Sequence, residues 1–172
     1  MSFKSVDHYG IVVENLDRSI PWWNQFLQVE AFERKTWRAA ELDDYVGRVV
    51  GYPNCDLSGA FWALPGGTVI EMLEYHNPAP GRVDMESYNV GNTHLCFETE
   101  DIRADYERLR DHAEFRSPEP VQSVWGPYRG TLVCYLRDPD GISIELVQFP
   151  EKGRPFQGAS PYANPYAAAD PE

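Results

Sequence analysis

Four side chains have the types and spacing to do metal chemistry: His8, Glu71, His94 and Glu145. Imidazoles and carboxylates both ligate borderline divalent ions. Two of each, with positions left for water, suit one Zn, Ni, Co, Mn or Fe(II) ion. Two glutamates held close as anions repel, so a shared site needs a cation or a shared proton. The set contains no thiolate, which argues against a closed structural zinc site and for a centre of catalytic type. An ion with two open positions can hold neighbouring oxygens of a substrate and stabilise an oxyanion beside a carbonyl. A glutamate that loosens from the ion can then carry a proton at the adjacent carbon.

The elements that must position these residues occur twice. Val6-Asp7-His8-Tyr9-Gly10-Ile11-Val12-Val13-Glu14-Asn15-Leu16 lies over Asn92-Thr93-His94-Leu95-Cys96-Phe97-Glu98-Thr99-Glu100-Asp101-Ile102. Each is a short strand pattern with one histidine near its start, leading into a helical pattern. Asp17 and Asp101 are candidate helix N-caps. Helices are predicted over about 18–28, with Pro21 in the first turn, and about 102–112. Pro65-Gly66-Gly67-Thr68-Val69-Ile70-Glu71-Met72-Leu73 matches Pro139-Asp140-Gly141-Ile142-Ser143-Ile144-Glu145-Leu146-Val147, a turn followed by a strand with a central glutamate. Strand patterns at 59–64 and 131–136 precede the two turns, and each half has room for one more strand. Each half thus reads β-α-β-β-β. His8 precedes Glu71 by 63 residues and His94 precedes Glu145 by 51, so the first half carries an insertion, placed within 41–57.

Strand alternation decides which residues share a face. His8 and Gly10 face one way, and Ile11 and Val13 the other. Ile70 and Met72 oppose Glu71, and Ile144 and Leu146 oppose Glu145. One face of each sheet is therefore apolar and suited to cover by a helix. The other carries the four candidate ligands at equivalent positions, and a pseudo-twofold axis would gather them. The expected fold is α+β: two tandem βαβββ modules, 1–78 and 92–150, forming a curved mixed sheet around a metal-binding cleft. A linker spans 79–91 and an extended tail spans 151–172, where Phe156, Tyr162 and Tyr166 could lie across a partner.

Composition narrows the partners. The 172 residues carry 15 basic and 27 acidic side chains, a net charge of −12. Such a surface repels phosphate backbones and anionic membranes, so nucleic acid and membrane are excluded as expected partners. No apolar run is long enough to cross a bilayer, and the first residues lack the apolar core of a signal peptide. Cys55, Cys96 and Cys134 have no paired spacing and read as reduced, buried core thiols of a cytoplasmic protein.

In order and in duplicate, these motifs resemble the vicinal oxygen chelate superfamily, which includes glyoxalase I, methylmalonyl-CoA epimerase, extradiol dioxygenases and bleomycin-resistance proteins. The resemblance covers about residues 5–149. It is carried by Val6-Asp7-His8, Glu14-Asn15-Leu16-Asp17, Gly66 to Glu71, Thr93 to Phe97 and, most specifically, Asp138-Pro139-Asp140-Gly141-Ile142-Ser143-Ile144-Glu145-Leu146. It implies that His8, Glu71, His94 and Glu145 bind one divalent metal ion, that Glu145 or Glu71 is the catalytic proton carrier, and that the chain forms a homodimer. No organic cofactor is expected.

Among reactions, the reading favours an epimerase or isomerase that moves a proton alpha to a carbonyl of a small hydroxy-ketone, sugar- or cyclitol-derived, through a metal-bound enediolate. A lactoylglutathione lyase of glyoxalase I type is close behind. An Fe(II) ring-cleaving dioxygenase would leave the Glu71 position without a ligand, and a ligand-sequestering resistance protein would have lost the set. Methylmalonyl-CoA epimerases usually carry an amide where Glu71 stands. With three lysines a CoA site is disfavoured, although Arg34, Arg38 and Arg129 are available. His76 and His112 are read as structural. Trp22 or Trp23 should pack on the sheet, and Trp37, Trp62 and Trp125 are divided between core and pocket. Glu41, Asp43 and Asp44 read as a solvated loop.

Overall fold

Two glycine turns set the frame of the fold. The computed structural model describes residues 5–151, so the expected tail lies outside the described residues except for Glu151. The chain divides into two units at Asp84/Met85, inside the expected linker. Among the described residues, no helix is long and apolar enough to cross a membrane.

The first unit runs β1 (His8–Val12), α1 (Leu16–Leu27), β2 (Glu33–Trp37), α2 (Tyr45–Val50), β3 (Asp56–Ala63) and β4 (Val69–Asn77). Its sheet has the order β1-β4-β3-β2. β1 is parallel to β4, and the other pairs are antiparallel. Gly66 and Gly67 adopt φ of 93° and 89°, the left-handed region that lets β3 fold back tightly into β4. On one face Ile70 and Met72 are fully buried under α1, which contributes Leu16, Trp23 and Phe26. Trp23 packs at 6.5 Å from Trp62, whose indole N–H donates to Asn24 Oδ1 at 2.8 Å. Trp62 is thus core, not pocket lining. Trp22 stacks on Phe26.

The first helix differs from expectation at its start. Asn15, not Asp17, is the N-cap, its side chain accepting from Arg18 N at 3.1 Å. Asn15 has the extended backbone a cap requires, while Asp17 is already helical. Starting at Leu16 moves Pro21 into the second turn. The insertion forms a 3₁₀ turn (Ala39–Glu41) and α2. Asp44 closes it by accepting from Asn54 N and Cys55 N at 2.9 and 3.2 Å. Asp43 pairs with Arg48 at 2.8 Å.

The second unit runs β5 (His94–Glu98), α3 (Ile102–Leu109), β6 (Glu114–Phe115), β7 (Val121–Gln122), β8 (Leu132–Arg137) and β9 (Ser143–Gln148). The order β5-β9-β8-β6 repeats that of the first sheet, and β7, not foreseen, also pairs with β8. Asp101 caps α3 as expected, accepting from Arg103 N and Ala104 N at 3.1 and 3.0 Å. The helix stops at Leu109, three residues earlier than predicted, where the amides of His112 and Ala113 close on the Leu109 carbonyl. In the β8–β9 turn, Asp138 Oδ1 accepts from Asp140 N and Ile142 N at 2.8 and 2.9 Å, and Gly141 has φ of 85°.

The duplication extends to how each helix is latched to its sheet. Glu74 Oε2 accepts from Leu16 N at 2.8 Å, and Gln148 Oε1 accepts from Ile102 N at 3.1 Å. Each latch stands three residues after the central glutamate of its strand, so the glutamate strand also satisfies a first-turn helix amide. The architecture is α+β with two mixed sheets, one per unit, following the β-α-β-β-β plan with the short β7 added in the second.

Candidate metal centre

The parallel pairing of β1 with β4 sets Gly10 opposite Glu71, and that of β5 with β9 sets Cys96 opposite Glu145. A residue two positions earlier lies on the same face, which brings each histidine to its glutamate. His8 Nε2 is 3.4 Å from Glu71 Oε2, and His94 Nε2 is 2.8 Å from Glu145 Oε2. Both glutamates are largely buried and both histidines are about half exposed. The structure therefore brings His8 to Glu71 in the first unit and His94 to Glu145 in the second.

Donors bound to one ion at about 2.1 Å, at angles from right to tetrahedral, lie roughly 3.0–3.4 Å apart. The His8–Glu71 pair has that spacing, and the His94–Glu145 pair, at 2.8 Å, is at hydrogen-bond distance. In both pairs it is Nε2 that faces the carboxylate. The donor set of nitrogen and oxygen, without thiolate, matches the five candidate ions.

Two supporting residues escaped the sequence reading. Asp7 Oδ2 lies 2.9 Å from His8 Nδ1. A carboxylate there holds the Nδ1–H tautomer and leaves Nε2 as the lone-pair donor, the arrangement metal-bound histidines commonly show. The Asp7 hydrogen bond raises the His8 pKa above its ordinary value. Desolvation opposes this, and the Glu71 and Asp7 charges add to it. The available signal was an acidic residue immediately before the histidine.

Tyr135 is the second. It lies directly across β8–β9 from Glu145. Its O–H donates to Glu145 Oε2 at 2.7 Å, and its oxygen is 3.3 Å from His94 Nε2. Desolvation, then the hydrogen bond to Glu145 and that carboxylate's charge, push the phenol pKa well up, so it remains a donor. Counting back across the Asp138–Gly141 hairpin from Glu145 would have found it.

The expectation of three buried thiols holds for Cys55 and Cys134 and fails for Cys96, which is exposed beside Glu145. The reason is alternation: Cys96 shares a face with His94. Local desolvation and the Glu145 charge push its thiol up to about 12, so it is protonated at neutral pH. His76 bonds Ser58 Oγ at 2.9 Å, in keeping with a structural role. Arg34 pairs with Asp17 at 2.5 Å and Arg38 with Glu41 at 3.7 Å, so neither presents an uncompensated charge.

Beside His94 the second unit holds a cavity of about 410 Å³, bordered by Tyr135, Arg116, Arg137, Ser87 and Ser143. That volume suits a small molecule. Its cations are compensated: Glu86 pairs with Arg137 at 2.9 Å and with Arg116 at 3.2 Å, and Arg116 also meets Glu114 at 3.0 Å.

Duplicated βαβββ units with a histidine on the first strand and a glutamate on the last define a recognisable class. The chain belongs to the glyoxalase/bleomycin resistance protein/dioxygenase superfamily, whose glyoxalase family matches residues 5–146. A probable lactoylglutathione lyase of Synechocystis sp. is 26% identical over 147 residues, covering 84% of this chain and 95% of that protein. A 2-epi-5-epi-valiolone epimerase of an Actinomyces species is 26% identical over 157 residues, covering 89% of this chain and 83% of that one. A crystal structure of a glyoxalase family protein from Bacillus cereus superposes with a TM-score of 0.71 at 26% identity, covering 87% of this chain and 98% of that one.

Proposed function

We propose that the His8–Glu71 and His94–Glu145 pairs are the two halves of one divalent-metal centre, and that the protein is an epimerase or isomerase of a small hydroxy-ketone. The observation that carries the reading is the repeated approach of a histidine Nε2 to a glutamate oxygen, at 3.4 and 2.8 Å. When bound, the ion supplies Lewis acidity to neighbouring substrate oxygens. The chain does the rest. The two histidines hold their Nε2 atoms toward the glutamates of their own units, His8 through Asp7. A glutamate takes the proton from the carbon beside the carbonyl and returns it, to the opposite face in an epimerisation or to the neighbouring carbon in an isomerisation. The cavity beside His94, with its arginines paired to Glu86, suits a compact neutral polyhydroxylated substrate better than one carrying several anionic groups. The 2-epi-5-epi-valiolone epimerase relative supports the same class. The reading holds whether one chain supplies both pairs or a homodimer does.

Lactoylglutathione lyase activity is the second reading, favoured by the Synechocystis relative. The deciding experiment combines elemental analysis of the purified protein with assays for solvent-deuterium uptake into candidate hydroxy-ketones, lactoylglutathione formation and oxygen consumption. Bound metal with deuterium uptake and no oxygen use is the expected result. Lactoylglutathione formation alone transfers the assignment to the lyase. Oxygen consumption overturns both in favour of a dioxygenase, and a metal-free protein that binds drugs points to sequestration.

A further inference from the structure

We infer that Glu86 decides which molecules the cavity beside His94 admits: it neutralises Arg116 and Arg137 together, so that the cavity takes a neutral polyhydroxylated substrate and turns away one bearing a carboxylate or phosphate. This rests on the hydroxy-ketone reading above and assigns its specificity to a residue of the expected linker.

The wall of this cavity is an addition to the duplicated scaffold. Strand register sets His94, Ser143 and Arg137 side by side across β5, β9 and β8. They share the face that carries Glu145. The equivalent row of the first unit is His8, Val69 and Ala63. A hydroxyl and a guanidinium therefore stand where the first sheet has two aliphatic side chains. Adjacent strands lie about 4.8 Å apart, so the backbones at His94 and Arg137 are roughly 10 Å apart, and one compact molecule can meet both side chains.

Glu86 is fixed against this wall by its neighbours. The Met85 carbonyl accepts from Arg137 at 3.2 Å and from Asn92 Nδ2 at 2.7 Å, and Asn89 N donates to the Glu86 carbonyl at 2.9 Å. The Glu86 carboxylate lies 2.9 Å from Arg137 and 3.2 Å from Arg116, and Arg116 also meets Glu114 at 3.0 Å. Two guanidiniums thus face two carboxylates, and the group has no net charge. The two carboxylates are not equal partners. The Glu114 side chain is 63% exposed, where solvent screens it, whereas Glu86 is 30% exposed and spans both guanidiniums. A guanidinium has five N–H donors, so one paired to Glu86 can still donate to a substrate hydroxyl. An arriving anion would compete with Glu86 for the same two cations. Glu86 acts through the arginines, as a positioning residue.

The test titrates inorganic phosphate into the full chain by calorimetry. Glu86→Gln keeps the shape and drops the charge. Hydrogen bonds to charged groups are strong enough that this variant should bind phosphate at least about tenfold more tightly than the unaltered chain. Adding Arg137→Gln to it should abolish the gain, and phosphate held elsewhere on the molecule is common to all three chains. Glu114→Gln removes the same charge from the solvent side and should gain less. Glu86→Gln should also raise deuterium uptake into a carboxylate-bearing hydroxy-ketone relative to a neutral one of the same size. Unchanged phosphate affinity with an equal loss on both ketones is what a merely structural role produces, and it overturns the inference. An equal gain from Glu114→Gln overturns it too. Should Glu86→Gln fail to fold, Glu86→Asp decides, since a side chain one methylene shorter cannot span both guanidiniums: tighter phosphate binding supports the assignment, and unchanged binding refutes it. An unaltered chain that exchanges deuterium into neither ketone removes the hydroxy-ketone reading, while the phosphate titrations still decide the role of Glu86.

Discussion

Replacing Glu145 with glutamine separates a chemical role from a structural one. The carboxylate accepts from Tyr135 at 2.7 Å and faces His94 Nε2 at 2.8 Å. Glutamine keeps the shape, and its carbonyl can still accept the phenol proton. Charge-assisted hydrogen bonds are roughly twice as strong as neutral ones, and a typical neutral one contributes about 1 kcal/mol. Weakening two of them lowers stability by about 2 kcal/mol at most in the metal-free protein. For a chain of this size that is a Tm decrease of roughly 4–8 °C. Glu145 is one of the two candidate proton carriers, and proton-transfer catalysis is worth about 100- to 10,000-fold, so exchange activity should fall at least 100-fold. Solvent-deuterium exchange followed by NMR, with and without added metal, reads the activity, and a calorimetric melt reads the fold. Near-normal turnover without added metal, in a variant with a near-normal melt, would refute the assigned role.

Other outcomes follow from single contacts. In metal-free protein the His8 pKa lies above its ordinary value, chiefly through the Asp7 hydrogen bond. Asp7→Asn should lower it, as followed by imidazole NMR, and an unchanged titration would remove Asp7 from the site. Since that folded-state pKa is raised, the stabilisation is complete below the ordinary histidine pKa and is lost as pH rises through the folded-state value. Asp101→Ala removes the acceptor of two first-turn amides and should cost about 1 kcal/mol, read as a lower denaturation midpoint. Asn15→Ala should cost less, because Asn15 accepts from one first-turn amide where Asp101 accepts from two. Gly59→Ala would set a Cβ 2.8 Å from the Trp37 ring. Overpacking of this kind costs about 1–3 kcal/mol, and Trp37 fluorescence should shift with it.

The repeat, the β-α-β-β-β plan and the two site faces were legible in the sequence because each rests on short-range chemistry. A period of two puts His8, Glu71, His94 and Glu145 opposite the buried Ile11, Ile70, Met72, Ile144 and Leu146 whatever the rest of the chain does. Glycines that must take positive φ mark the two hairpins. Tertiary structure decided what those residues touch. Parallel register joined β1 to β4 and β5 to β9 across long stretches of chain, bringing each histidine to its glutamate. Hairpin register placed Tyr135 against Glu145 but Phe61 against Glu71. The helix start at Leu16 made Asn15 the α1 cap and left Asp17 inside the first turn. Side-chain identity and alternation are properties of neighbours in sequence, whereas a hydrogen bond such as that of Tyr135 needs two strands fixed in register, and only the folded sheet supplies that constraint.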